Sequence, residues 1–262
     1  IHLCAVCGLQ YAWPLELPDE FYEKVWTCEL LKNEADYGER IKRLRQGEIL
    51  RFSHPYHRKA IQILQQLCPR GSTILDVGCG DGRFKIFLEK AGFKPVGCDI
   101  ASEPVHLLQR LGFHVYCGSV TDYPAGWEAP VAVTVFEVLE HLPDPLGFLG
   151  AIRKQFPKAV IVASVPSPLR PAARFSRHEP FDYPPHHLLR WSLHALEIAF
   201  KRAGYQKIRF EHFPVKGSEI PLRLGLAKRF DLTVGRISHN DQFRVFSILA
   251  GRSKDILLLL LR

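Results

Sequence analysis

No stretch of the 262 residues approaches the ~18 consecutive apolar positions that a membrane-spanning helix needs, so no membrane span is expected. The closing run, Ile256 to Leu261, is too short for an anchor and reads as a buried strand. Blocks of five or six like charges are also missing. A net charge of +8 would suit an acidic partner such as nucleic acid, an anionic membrane surface or a phosphorylated substrate. The basic residues of Glu39 to Arg51, however, are interleaved with acidic and apolar ones as on a solvated helix face. Nor is there a disulfide framework: seven cysteines, an odd number scattered along the chain, fit a reducing cytoplasm better than a small secreted domain. The start lacks the basic, apolar and small-residue order of a signal peptide and opens on Ile1 rather than Met, so the natural beginning is expected to lie upstream.

What is present suits one α/β core. Hydrophobic residues make up 47% and charged residues 24%, close to globular averages, and the length allows one domain of roughly 200 residues with terminal additions. Residues 1–40, rich in aromatics, Pro and Cys without a sustained period, read as an irregular appendage, and residues 41–262 as the main domain. Tyr56 to Leu67 places Ala60, Ile61, Ile63, Leu64 and Leu67 mostly on one helical face. Five strands then alternate with helices: Thr73 to Val77, Pro95 to Asp99, His114 to Gly118, Val131 to Val138 and Ala159 to Val165. Ser102 is expected to cap one helix, Asp144 followed by Pro145 to start the next, and Ser192 to cap a later one. Pro166 to Pro185 carries six prolines and predicts a long loop over the top of the sheet. Tyr205 to Phe213 reads as a sixth strand, Gly217 to Ala250 as a mostly helical insertion, and Asp255 to Arg262 as a final strand.

The sharpest signal is Asp76-Val77-Gly78-Cys79-Gly80-Asp81-Gly82, a buried strand that enters three glycines and then a helix from Arg83 to Lys90. Glycine lets the backbone take unusual φ values and approach a ligand closely, and the free N–H groups at the helix start can meet a carboxylate or phosphate. A dinucleotide fingerprint would need a further glycine at position 83, where Arg83 stands, which counts against NAD. Asp76 would be awkward for a pyrophosphate but useful for an ammonium group. A ligand carrying ammonium, carboxylate and sulfonium together, S-adenosylmethionine, fits better. Asp99 ends the second strand, 17 residues after Gly82, where a carboxylate can accept both hydrogen bonds from ribose hydroxyls.

These residues resemble the class I S-adenosylmethionine-dependent methyltransferases, in the branch of types 11, 12 and 23. Phe136 to Pro145, with Glu137 and His141, is similar to the segment after the fourth strand in the part of that branch that includes ubiquinone-type O-methyltransferases. The resemblance covers about Tyr56 to Phe213. It implies a doubly wound α/β fold with a seven-stranded, mostly parallel sheet in the order 3-2-1-4-5-7-6. It also implies a cofactor site formed by Asp76, Gly78, Cys79, Gly80, Gly82, Asp99 and Ile100, with Glu137 and His141 bordering the cleft. Many relatives carry an acid just after strand three to hold the adenine amino group. Here the text is Gly118-Ser119-Val120, leaving Ser119, the backbone at Val120 and apolar sandwiching by Ile100.

For catalysis, the cofactor supplies the activated methyl and the protein aligns the acceptor and removes its proton where needed. His141 is a candidate base or a pocket-lining residue. His186 and His187 lie in the segment Phe181 to Ser192, which is expected to cap the site; the text around them is similar to a segment of methyltransferases from polysaccharide and natural-product clusters. Each is a candidate base. The adjacent pair is not expected to hold one metal ion, because adjacent side chains seldom converge. Cys4 and Cys7 have zinc-knuckle spacing but supply two of four ligands. Cys4 to Pro14 resembles the second of two knuckles that open some sugar methyltransferases, so zinc is expected only if a further ligand pair lies upstream; otherwise these are two reduced cysteines.

The expected function is therefore an S-adenosylmethionine-dependent methyltransferase acting on a small or glycan-type acceptor: a sugar, a nucleotide-linked sugar or a natural-product intermediate. One rival is a noncatalytic methyltransferase-fold interaction module. Another is a nucleic-acid methyltransferase, against which stands the absence of an Asn-Pro-Pro-Tyr or Asp-Pro-Pro-Tyr run after strand four.

Overall fold

The computed structural model describes residues 1–16, 21, 34–47, 55–166, 183–206, 208, 213–215 and 237–239. They divide into two compact units. One comprises Leu17–Val138 with Asp144–Ala163, and the other Ile1–Glu16, Leu139–Pro143 and Ser164–Arg262.

The first unit is built on parallel strands β3 (Thr73–Val77), β4 (Lys94–Asp99), β5 (Val115–Cys117), β6 (Ala132–Phe136) and β7 (Val160–Ser164), in the spatial order β5-β4-β3-β6-β7. β3 is the hub. It pairs in parallel with β4, Leu75 opposite Val96, and with β6, Leu75 opposite Val133. Every residue of β3 is buried, as a strand covered on both faces must be, and this is why it reads as a continuous run rather than an alternating one. The chain leaves β3 toward β4 on one side and later returns to β6 on the other. This reversal of strand order opens a crevice at the carboxyl ends, where doubly wound sheets bind ligands.

The covering helices are α1 (Glu34–Gln46), α2 (Pro55–Leu67), α3 (Arg83–Lys90), α4 (Ser102–Arg110) and α5 (Pro145–Gln155). Tyr37, Ile41 and Leu44 follow one stripe of α1, and Ala60, Ile63 and Leu64 one stripe of α2; they join Ile74, Phe84 and Leu88 in a single core cluster. Full burial of each such aliphatic side chain contributes about 1.5–3 kcal/mol. Asp144 caps α5 as expected, accepting from the Gly147 N–H at 2.9 Å, with Pro145 in the first turn. For α4 the expectation fails: Ala101 occupies the cap and Ser102 is the first helical residue. Ala101 makes no side-chain capping bond; just before the helix its own N–H is taken by Asp99 Oδ1 at 3.2 Å, a local turn that joins the strand end to the helix start.

In the second unit β1 (His2–Leu3) and β2 (Gln10–Tyr11) form an antiparallel hairpin, and β8 (Leu189–Arg190) pairs with β2, Tyr11 opposite Leu189. The start of the chain is thus a sheet-forming piece rather than an irregular one. Ser192 caps α6 (Leu193–Arg202), accepting from the Ala195 N–H at 3.0 Å, as its position predicts. β9 (Phe213–Val215) pairs antiparallel with β10 (Ile237–His239) as a separate two-stranded sheet.

The seven-strand order is therefore seen only as its five-strand part. The expected sixth strand over Tyr205 to Phe213 is strand at Phe213 alone, which begins β9; Tyr205, Gln206 and Ile208 are not in a strand, and the other residues of that stretch lie outside the described ones. The expected helical insertion contains strand at Ile237–His239, and Asp255 to Arg262 lies outside the described residues, as does most of the proline-rich loop. No helix among the described residues is long and apolar enough to cross a membrane.

Candidate functional site

The glycine turn sits where β3 ends and α3 begins. Gly78, Gly80 and Gly82 have φ of 67°, 48° and 67°, values that L side chains resist, so the turn is written in the only residue that takes this path without strain. Space imposes the same choice. A Cβ at Gly82 would stand 2.7 Å from the Leu108 side chain, and one at Gly78 would collide with Val138. The turn is tied to the neighbouring strand by Gly78 and Cys79 N–H groups donating to the Cys98 carbonyl at 2.9 and 3.0 Å. Cys79 is buried, its sulfur packed against Gly97, and burial holds its thiol well above the usual range. Cys98 beside it is pushed up to about 12 by burial. Both are therefore inert thiols, and Cys79 offers a ligand its backbone alone.

Asp99 links the turn to β4. Its Oδ2 accepts from the Gly80 N–H at 3.0 Å and its Oδ1 from the Ala101 N–H, which fixes the carboxylate plane at the rim of the crevice. A carboxylate has about four lone-pair sites in all, so this residue type can receive hydroxyls as well as backbone N–H groups. Ile100 is 61% exposed directly after it, an apolar surface beside the carboxylate.

Asp76 lies beneath the turn rather than on its surface. It is 3% exposed and accepts the Thr134 hydroxyl at 2.6 Å, across the β3–β6 pairing. Burial raises its pKa from 3.8 to about 7, against the lowering effect of the Thr134 bond and of Lys85. Lys85 is itself fully buried in the first turn of α3. Its ammonium donates to the carbonyls of Pro95 and His114 at 2.9 Å each, and burial lowers its pKa to about 8. Sequence reasoning missed both partners: Thr134 looks like an ordinary strand residue, and a lysine in an amphipathic helix looks solvated.

At the third strand end, Ser119 is occupied by a local capping box. Its N–H and hydroxyl donate to Asp122 Oδ2 at 2.7 and 2.8 Å, and its oxygen accepts from Thr121 N–H at 3.3 Å. These bonds hold the Asp122 carboxyl below its usual range. An acid, Asp122, thus stands three residues after Ser119 and is hydrogen-bonded to it. Val120 is 1% exposed. Glu137, just past β6, has φ of 55°, the one non-glycine residue with positive φ among those described. Such a conformation costs about 1–3 kcal/mol and concentrates at functional sites.

The second unit brings His141, His186 and His187 together. Their ring centroids lie 4.9, 4.8 and 5.1 Å apart, and their ligand nitrogens all fall within 4.8 Å of one another. Adjacent side chains seldom converge, but here the His186 and His187 rings lie 5.1 Å apart. Both His186 and His187 donate their N–H groups to the Tyr183 carbonyl, at 3.0 and 3.2 Å. His141 Nδ1 meets the His186 carbonyl at 2.6 Å, and the Leu188 N–H donates to the Glu140 carbonyl, so the two segments are clamped by backbone. Burial lowers the pKa of His186, with His187 adding to the effect.

Cys4 and Cys7 flank the hairpin turn, closed by the Gly8 N–H donating to the Cys4 carbonyl at 2.9 Å with Gly8 at φ 72°. Backbone N–H groups of Cys7 and Val6 stand toward the Cys4 sulfur and lower its pKa. The Ser192 hydroxyl donates to the Cys7 carbonyl at 2.8 Å, and His2 stacks on Tyr11.

Comparison with known proteins agrees with this geometry. The Methyltransf_23 family model, a methyltransferase domain, matches residues 51–209, more than half of the chain. The ubiquinone biosynthesis O-methyltransferase of Albidiferax ferrireducens is 29% identical over 107 residues, 37% of this chain and 42% of that protein; its counterpart in Aliivibrio fischeri strain MJ11 is 35% identical over 91 residues, 32% and 39% of the two chains. The chain thus spans about two-fifths of the length of these curated relatives. A solved complex between the Haloferax volcanii Trm112 methyltransferase activator and a methyltransferase matches with a TM-score of 0.53 at 17% identity, covering 91% of this chain and 95% of that one, a likeness of fold. The chain belongs to the class I S-adenosylmethionine-dependent methyltransferases, in the Methyltransf_23 family.

Proposed function

We propose that this chain transfers the methyl group of S-adenosylmethionine to a small or glycan-type acceptor: a sugar, a nucleotide-linked sugar or a natural-product intermediate. The observation that carries the cofactor half is the Asp99 carboxylate, held by the Gly80 and Ala101 N–H groups at the carboxyl end of β4, beside the glycine turn. In this reading Asp99 receives the ribose, Ile100 covers the adenine face, and Ser119 with the Val120 backbone receives the adenine edge. The backbone of Gly78, Cys79, Gly80 and Gly82 lies along the methionine portion, with Glu137 at its border. Asp76 acts from beneath the turn as a buried negative charge that favours a cationic ligand.

S-adenosylmethionine supplies an electrophilic methyl on its sulfonium. The chain's task is to orient the acceptor, exclude water and take the acceptor's proton. His141, His186 and His187 are the residues assigned to acceptor activation, on the strength of their convergence. The ubiquinone relatives are named for O-methylation, which favours a hydroxyl acceptor here. Zinc at Cys4 and Cys7 belongs to this reading only together with two further ligands, and the scattered, odd number of cysteines favours a cytoplasmic location. The test is release of S-adenosylhomocysteine in an acceptor screen that begins with nucleotide sugars and phenols. Turnover with a hydroxyl acceptor supports the proposal. Tight S-adenosylmethionine binding without turnover on any acceptor would favour a noncatalytic module, and strongly salt-dependent binding to RNA would favour a nucleic-acid substrate.

A further inference from the structure

We propose that His141, His186 and His187 form a site for one divalent ion of the zinc, cobalt and nickel class, bound by three imidazole nitrogens with a fourth position open to an oxygen ligand. Three observations support this. All three ligand atoms lie within 4.8 Å of one another. Tetrahedral bonds of about 2.0–2.1 Å place ligand nitrogens about 3.4 Å apart, so side-chain rotations that close the group by roughly an ångström complete the site.

The second observation is orientation. A carbonyl oxygen only accepts, so the 2.6 Å contact between His141 Nδ1 and the His186 carbonyl makes Nδ1 the protonated nitrogen and leaves the lone pair on Nε2. Donation of the second ring N–H to a backbone carbonyl is how metal-binding histidines have their tautomer fixed. Third, the backbone is held before any ion arrives: both histidine N–H groups donate to the Tyr183 carbonyl, and the two rings lie 5.1 Å apart. His186 and His187 are only half-buried, so an ion can reach them. An all-imidazole donor set selects borderline transition metals over magnesium or calcium, which want oxygen. The inference deepens the acceptor-activation role given to these histidines, and it rests on the methyltransferase reading only for its catalytic meaning.

The experiment uses the untagged full chain, stripped with chelator and titrated with cobalt(II) and with zinc(II), following heat, metal content after dialysis and the cobalt visible spectrum. S-adenosylmethionine binding is measured in parallel on every variant as a check that the other unit is intact. The expected result is one equivalent of metal with a tetrahedral cobalt spectrum, unchanged in Cys4→Ser/Cys7→Ser and weakened by roughly 100-fold or more in His187→Gln and His141→Gln. Absence of metal binding by a folded chain that binds S-adenosylmethionine would overturn the proposal and leave the methyltransferase reading standing. So would metal that persists in both histidine variants, or that disappears with the cysteines and carries a thiolate-to-cobalt charge-transfer band.

Discussion

Replacing Asp76 with asparagine should change the pH dependence of stability and the affinity for cofactor in opposite senses. In the folded chain the Asp76 carboxyl keeps its proton up to about pH 7, because burial at 3% exposure penalises the charge, whereas the unfolded chain releases it near 3.8. Between those values the folded state binds more protons, so wild-type stability falls as pH rises, and the loss is complete above pH 7. At 1.36 kcal/mol per pH unit, the span from 3.8 to about 7 sets a loss of about 4 kcal/mol. The side-chain amide of the Asp76→Asn variant has no such ionisation. It can still accept the Thr134 hydroxyl, and any cost of burying its extra N–H is constant with pH. Urea unfolding of both proteins at intervals from pH 4 to pH 8 should show the variant gaining about 4 kcal/mol relative to wild type across that range. If a cation binds above the turn, wild type should also release a proton on binding S-adenosylmethionine near pH 7, seen as a dependence of binding heat on the buffer's ionisation enthalpy, and the variant should bind more weakly without that release. A stability difference that does not change with pH would refute the buried, late-titrating carboxyl.

Other perturbations have equally definite outcomes. Glu137→Gly relieves a left-handed backbone at φ 55° and should stabilise the fold by about 0.5–1 kcal/mol in thermal melts while weakening cofactor binding; a loss of stability would show that the side chain itself supports the turn. Lys85→Met withdraws the donor from two buried carbonyls and should cost about 2 kcal/mol at neutral pH. Because burial lowers the Lys85 pKa from 10.5 to about 8, the unfolded chain holds the proton longer. Wild type therefore gains stability from this group as pH rises from 8 to 10.5, a gain the variant should lack when the two are unfolded side by side. Ser192→Ala removes the cap of α6 and the bond to the Cys7 carbonyl, and should destabilise the chain by about 1–2 kcal/mol in chemical denaturation; an unchanged midpoint would mean that solvent replaces both bonds.

The strand-turn-helix from Thr73 to Lys90, the acid at Asp99 and the alternation of five strands with helices are legible in the sequence because each is local. A run of buried residues, a glycine spacing and a strand end need no knowledge of distant partners. What is not legible is pairing over long separations. Thr134 lies 58 residues from Asp76, and nothing at either position announces that the hydroxyl belongs to the carboxylate. Lys85 sits among apolar neighbours of α3, and only the approach of the Pro95 and His114 carbonyls turns its burial from a penalty into a tie between strands. Ser102 looks like the better cap than Ala101, but the chain enters the helix one residue earlier, where Asp99 bonds the Ala101 N–H. The histidine group joins His141 to a pair 45 residues further along the chain, a meeting with no compositional trace.

The most direct test of the central claim is calorimetric titration of the chain with S-adenosylmethionine, with NAD as control, in wild type and Asp99→Ala. Loss of two charge-assisted hydrogen bonds to the ribose, together with the anchor of the Gly80 N–H, should weaken binding by roughly 100-fold or more, with no binding of NAD by either protein. Undiminished affinity in Asp99→Ala, or a wild-type chain that is folded and binds NAD but not S-adenosylmethionine, would contradict the account.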